Sequence, residues 1–234
     1  MGRKPPQLLA ELHAHTTWSD GALTPRQLVD IYGRAGFDVL AITDHVVRSD
    51  VDGHVRAENY GEYLAELDAE AERARARYGL LVVPGLELTV DDPDPRRAGH
   101  AVALGLRQFV SVDGGLDAAL ADARSAGAAL VAAHPYPLAA AASSHRGTAR
   151  FAEEPEWAAG AVDRFELFNR DDRFAWVAAR KLPWVATGDF HLPEHLFTWK
   201  TLLPCERDEQ AVVEALRSRA RFPLLRVETS RVAA

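Results

Sequence analysis

Apolar and polar residues alternate along the 234-residue chain with two different periods. Short runs dense in Val, Leu, Ile and Ala predict buried strands, as in DVLAITDH (38–45), LLVVPGLELTV (80–90), AALVAAH (128–134) and WVATGDFH (184–191). QLLAELHAH (7–15) is expected to be the first strand, HAVALGL (100–106) and DRFELFN (163–169) further ones, and FPLLRV (222–227) a terminal one. A helix is expected over 25–35, where Thr24 suits the cap, Pro25 the first turn, Gln27 the capping box and Gly36 the stop. The charged stretch 57–78, carrying Leu64 and Leu67, predicts a long helix ended by Gly79. Other helices are expected over 116–125, near 154–159, over 171–180 and over 207–220.

Strands and helices that alternate from end to end, without an internal repeat or long linker, predict a mostly parallel sheet. About seven βα-like units result, enough to close a barrel. The predicted fold is α/β, a distorted (β/α)7, TIM-barrel-like barrel forming one domain over 1–234. The segment 135–150 breaks the rhythm, and loops of that length are usually functional; His145 and Arg146 there are candidates for a lid.

Composition narrows the class of function. With 47% hydrophobic and 26% charged residues the chain reads as an ordinary globular protein. No apolar run approaches the roughly 18 residues of a membrane span, and MGRKPPQLLA lacks the apolar core of a secretory signal, so a cytoplasmic location without a membrane partner is expected. The single cysteine, Cys205, forms neither an internal disulfide nor a thiolate metal site, which leaves metal binding to His, Asp and Glu. A net charge of −7 disfavours long nucleic acid but not a small phosphorylated substrate. Nothing in the sequence marks an oligomeric state; Leu196, Phe197 and Trp199 form an apolar cluster suited equally to the core, the pocket or a partner.

Residues able to bind metal recur at the C-terminal ends of the expected strands: His13 and His15, His45, Glu87, His134, Asp189 and His191. His100 instead opens its strand. In a parallel α/β barrel those strand ends build the active site, and residues two apart share a face, so His13/His15 and Asp189/His191 each present two side chains together. Taken singly, the features have plainer readings. His-x-His arises by chance, Asp44 in TDH suits an Asx turn, His134-Pro135 caps a loop, His100 fits a core histidine, and Asp189 with His191 fits an exposed turn. Glu87 is harder to dismiss, because a carboxylate in an apolar strand needs partners to offset its desolvation. Chance does not account for the joint placement on successive strands.

Two metal-dependent classes begin with His-x-His. Amidohydrolase-like barrels bridge two metals with a carbamylated lysine on a middle strand, but Lys4, Lys181 and Lys200 are the only lysines and none lies on one. Any bridging role falls to Glu87. The motifs ELHAHTTWSDG, AITDH, PGLELT, GHAVALG, AAHPYP and TGDFH, in this order, resemble those of the PHP family, the polymerase and histidinol phosphatase metal-dependent phosphoesterases, and within it the smaller stand-alone members. The resemblance runs from Glu11 to His191 and implies a distorted seven-stranded barrel with two to three divalent ions. It implies His13, His15, Glu87 and Asp189 on one ion, Glu87, His100 and His134 on a second, and Asp20, His45 and His191 on a third. Residues 16–19 would form the turn that carries Asp20 over the mouth, with Gly21 freeing the chain into the next helix. Glu11 departs from the Asp common in the family.

Six imidazoles and three carboxylates would leave three divalent cations with a local excess of three positive charges, which a hydroxide and a phosphate dianion would balance. Such a site activates water as the nucleophile and clamps the phosphoryl oxygens. Imidazole and carboxylate donors without sulfur suit zinc, manganese or iron. Arg170, Lys200 and Arg48 are candidates for holding the phosphate, and Glu11, Asp44, Asn169 and Asp171 for orienting the donors. The expected activity is hydrolysis of small phosphate monoesters. Two alternatives stand beside it: a nuclease or nucleotide phosphatase acting on short oligonucleotide ends, and a metal-binding domain without turnover.

Overall fold

The structure is a computed structural model that describes residues 7–141 and 148–228. The proposed lid residues His145 and Arg146 lie outside the described residues. Among the described residues eleven strands form one continuous sheet: β1 (Leu8–Glu11), β2 (Val39–Ile42), β3 (His45–Val46), β4 (Leu81–Val90), β5 (Gly99–Leu104), β6 (Ala129–Ala133), β7 (Arg164–Asn169), β8 (Asp172–Arg173), β9 (Trp184–Thr187), β10 (Trp199–Leu203) and β11 (Leu224–Arg226). The helices are α1 (Pro25–Arg34), α2 (Tyr60–Tyr78), α3 (Leu116–Ser125), α4 (Leu138–Ala141), α5 (Arg150–Glu153), α6 (Pro155–Ala161), α7 (Ala175–Ala179) and α8 (Glu209–Arg217), with a 3-10 turn at Pro193–Leu196.

Neighbours β1, β2 and β4 are parallel, as are β6, β7 and β9, and β5 alone runs antiparallel between β4 and β6. The sheet curls until the chain just beyond β1 meets the chain just beyond β9. There Ala14 bridges Phe190 in parallel, His15 N donates to Phe190 O at 2.8 Å, and Phe190 N donates to His13 O at 3.1 Å. The closed circuit of β1, β2, β4, β5, β6, β7 and β9 is the distorted seven-stranded barrel of an α/β fold. Its interior is apolar at the far end, where Leu8, Val39, Leu104, Ala129 and Val185 pack against Val212, Leu216 and Phe222 in and beyond α8. A second core lies between the sheet and the surrounding helices, with Leu28, Tyr32, Tyr63 and Leu67 among its members.

Local signals account for the helices. Thr24 accepts from Gln27 N and Gln27 completes the capping box of α1, while Gly79 closes α2 with a left-handed φ of 65°. α2 begins at Tyr60 rather than 57, because Asn59 accepts from Arg56 N and arrests the preceding turn. The helix expected over 171–180 is shorter, since Asp172 and Arg173 fold back on β7 as β8 before α7 starts. β10 was not expected: WKTLL places Lys200 in a strand, and only the pairing with β1 and β11 makes it one. Leu196 is in the core, Phe197 packs against it, and Trp199 stacks on Phe168. Among the described residues no helix is long and apolar enough to cross a membrane.

Candidate metal centre

The donor side chains gather at one mouth of the barrel, beyond its apolar interior. On β4, Val83 and Glu87 share the interior face, and the register sets His45 of β3 opposite Glu87. The reversal of β5 explains why His100 opens its strand yet reaches the same mouth, where it pairs with Thr89 and Ala133. Along β1, Leu8, Ala10 and Leu12 take the interior, so strict alternation would turn His13 outward. The alternation slips because Glu11 Oε1 accepts from both Leu12 N (3.0 Å) and His13 N (3.2 Å), ending the regular strand. His13 and His15 then share the interior face. Asp189 and His191 arrive differently from the expected extended strand: β9 ends at Thr187 and Asp189 adopts a left-handed φ of 41°. His134 (φ 29°) and Arg170 (φ 54°) are also left-handed, conformations that non-glycine residues keep only where their surroundings impose them.

Eight of the nine residues named from the sequence meet in three groups, and Asp189 stands beside the first. The donor atoms of His13, His15 and Glu87 lie within 4.8 Å of one another, as do those of Glu87, His100 and His134, and those of His15, Asp20, His45 and His191. Glu87 Oε2 is 3.2 Å from both His13 Nε2 and His15 Nε2, and Glu87 Oε1 is 3.2 Å from His100 Nδ1 and 3.1 Å from His134 Nε2. Asp189 Oδ1 is 3.6 Å from His13 Nε2 and 3.4 Å from His15 Nε2. Asp20 Oδ2 is 3.2 Å from His191 Nε2, and Asp20 Oδ1 is 3.6 Å from His45 Nε2.

These donors fit divalent cations. His13 Nε2, His15 Nε2, Glu87 Oε2 and His100 Nδ1 are buried and make no hydrogen bond among the described residues. Each such atom costs about 1–3 kcal/mol when left unpaired, and here they face one another across one small volume. The electrostatics agree. Burial works against protonation of His13, but Glu87, Asp189 and Glu166 outweigh it and raise its pKa well above the ordinary imidazole range. Against the same burial, Asp189 and Glu87 take His15 up to about 9, and Asp91 and Glu87 take His100 up to about 9. Burial would raise the Glu87 pKa, yet His45, His13 and His100 hold it well below the usual carboxylate range. The cluster is a trap for positive charge.

A shell of buried groups holds the donors in place. Glu11 also accepts from Gly188 N at 2.8 Å, Tyr32 Oη at 2.9 Å and Lys200 Nζ at 2.8 Å, which ties β1 to the loop carrying Asp189. Asp44 Oδ1 accepts from Thr16 N and Ser19 Oγ, both at 2.7 Å, and so fixes the turn that presents Asp20. Glu166, buried on β7, accepts from His13 Nδ1 at 2.9 Å. Sequence reasoning missed it, although the signal that marked Glu87, a carboxylate within an apolar strand, is also present in RFELFN. Asn169 donates to Glu166 at 2.8 Å and does not touch a donor residue directly.

A cavity of about 380 Å³ opens onto the donors. Val47, Arg48, Val51 and His54 line it, together with Thr89, Asp91 and Thr148. Arg48 is thus at the cavity wall, steadied by Asp50. Arg170 does not line the cavity but braces two residues that do, donating to Asp189 O at 2.9 Å and Asp189 Oδ2 at 3.2 Å, with His191 Nδ1 at 3.1 Å. Lys200 corrects the expectation of a phosphate contact: its ammonium is fully buried behind the site and spent on Glu11, Thr198 Oγ1 (2.7 Å) and His195 O (3.0 Å). Asp171 is exposed and paired with Arg226. His54 was not anticipated, because nothing in its neighbourhood in the sequence marks the wall it joins.

The PHP domain family model matches residues 11–166, from the end of β1 into β7. An error-prone DNA polymerase of Mycobacterium bovis is 40% identical over 88 residues, which cover 37% of this chain and 7% of that protein. The DNA polymerase/3′-5′ exonuclease PolX of Bacillus subtilis is 34% identical over 91 residues, covering 37% of this chain and 16% of that protein. The match thus spans a small part of the length of these relatives. Among solved structures, a two-domain protein from Bacteroides vulgatus containing a predicted PHP-like metal-dependent phosphoesterase superposes with a TM-score of 0.65 at 21% identity, over 97% of this chain and 70% of that one. An amidohydrolase from Chromobacterium violaceum gives 0.58 at 19% identity, over 94% and 99%. At these identities the structural likeness is one of fold.

Proposed function

The chain belongs to the PHP domain family of metal-dependent phosphoesterases, and on that premise we propose that it hydrolyses a small phosphate monoester at a site of two to three divalent ions, zinc, manganese or iron. The observation that carries this reading is the set of four buried nitrogen and oxygen atoms around Glu87 that make no hydrogen bond among the described residues, next to a cavity that Glu87 and His100 line. His13, His15, Glu87 and Asp189 would hold one ion, Glu87, His100 and His134 a second, and Asp20, His45 and His191 a third. Divalent ions held there would lower the pKa of a water toward about 7 and neutralise phosphoryl oxygens.

The chain's own groups do the rest. Arg48 in the cavity wall, and Arg170 through its contact with Asp189, would supply the fixed positive charge that a phosphate dianion needs. The two hydroxyls lining the cavity are engaged, Thr89 Oγ1 with His45 Nδ1 at 2.7 Å and Thr148 Oγ1 with His134 O at 2.9 Å, which favours water over a side chain as the nucleophile. Val47, Val51 and His54 form the wall that would receive the leaving group. A volume of about 380 Å³ is that of a small-molecule site rather than a polynucleotide groove.

The PolX relative is a DNA polymerase/3′-5′ exonuclease, which favours a second reading in which the ester is the end of a short oligonucleotide. A panel of phosphorylated metabolites and short oligonucleotides, assayed with manganese or zinc, separates the two. Phosphate release from monoesters that vanishes in His13→Ala supports the proposal. Shortening of oligonucleotides with no monoester turnover transfers the assignment to the second reading. A metal-loaded protein inert to both would be a binding domain and would overturn the proposal.

A further inference from the structure

Glu166 belongs to none of the donor groups, yet it touches two of them. Its side chain is fully buried. Oε1 accepts from His13 Nδ1 at 2.9 Å and Thr187 Oγ1 at 2.6 Å, and Oε2 accepts from the His134 backbone N–H at 2.6 Å and Asn169 Nδ2 at 2.8 Å. Four donors saturate a carboxylate and leave no place for a proton. Two consequences follow for different groups of donors. With Nδ1 donating to Glu166, the neutral His13 ring carries its lone pair on Nε2, the atom that faces Glu87 and Asp189. The bond to His134 N holds that residue in its left-handed conformation, from which the imidazole returns to Glu87 at 3.1 Å. Asp91, by contrast, reaches His100 alone among the donors, at 3.0 Å.

We propose that Glu166 is a positioning residue that couples two cation sites, fixing the His13 ring for one and the His134 backbone for the other, so that the two fill as a unit. This rests on the metal-site reading above, and its test therefore reads metal uptake rather than turnover. Glu166→Gln keeps the shape but turns an NH2 group toward two of the four donors. Binding isotherms for manganese on metal-stripped protein, with stoichiometry from elemental analysis, should show the wild type filling two sites in one cooperative step. Glu166→Gln should weaken both sites by about 10–100-fold, whereas Asp91→Asn should weaken one. Circular dichroism of the stripped variants reports folding. Thr187→Val, which removes one donor and leaves the carboxylate, should give an intermediate loss and decides the matter where Glu166→Gln does not fold. Wild-type affinity in these variants, or weakening confined to one site in Glu166→Gln, overturns the coupling while leaving the metal site intact. A wild-type protein that takes up no divalent ion overturns both.

Discussion

Gly188 sits where the chain turns from β9 toward Asp189, and a single methyl group there would collide with the groups that hold the site together. A Cβ would stand 2.3 Å from Lys200 Nζ, 2.4 Å from Glu11 Oε2 and 2.9 Å from His195 O. Gly188→Ala must part a fully buried ion pair, and overpacking of this kind costs about 1–3 kcal/mol. Urea unfolding should show a lower midpoint at an unchanged slope; an unchanged midpoint would mean that the pair yields without cost. The donors themselves were readable in the sequence because imidazoles and a lone carboxylate stand out against apolar strands. Lys200 was misread because a cation in a sequence carries no mark of burial, and its partner Glu11 is far away along the chain. Glu166 was readable by the rule that marked Glu87, but its neighbours in sequence are not its partners in space.

Helices fasten onto the barrel through a few charged contacts that can be tested one at a time. Arg73 Nη1 on α2 reaches Asp30 Oδ1 on α1 at 2.6 Å, and Tyr78 Oη donates to the same oxygen at 2.9 Å. Burial is the largest single influence on Asp30 and opposes its ionisation, but Arg73 and Tyr78 together outweigh it and lower its pKa. A carboxyl depressed in the folded state stabilises above its ordinary pKa of about 4 and loses that contribution as the pH falls through the folded value. Asp30→Asn should therefore melt below the wild type at pH 7, and the gap should close in strongly acidic buffer. Arg164, buried on β7, gathers the last carbonyls around α8: Leu216 O at 2.8 Å, Ala215 O at 3.2 Å, Ser218 O at 2.8 Å and Ala220 O at 2.9 Å. Its guanidinium also lies 3.7 Å from the centroid of the Phe222 ring. Arg164→Met strands several of those acceptors and should cost about 3 kcal/mol or more, with Arg164→Lys recovering only part because it lacks the planar fork. The helix caps and long strands at this scale were legible from local chemistry. The two-residue strands β3 and β8 and the Lys-bearing β10 were not, because pairing with a neighbour rather than any period makes them strands.

For the whole molecule, seven strands were countable from the sequence, but the direction of β5 was not, since a period-two pattern reads the same either way. That reversal is what delivers His100 to the mouth. Because the donors come from strands all round the barrel, divalent ions should act as staples on the folded state. Manganese at 100 times its dissociation constant should add about 2.7 kcal/mol to the stability, seen as a rise in melting temperature that a chelator reverses and Glu87→Gln abolishes. No rise in the wild type would count against the metal centre. The Ala14–Phe190 seam carries a further consequence, for synthesis. Glu11 and Gly188, which the seam brings together, are 177 residues apart in sequence, and contacts so distant form late in folding. During translation His13 and His15 emerge early and wait for Asp189 and His191, so a chain cut short just before them has most of its barrel strands and no finished site.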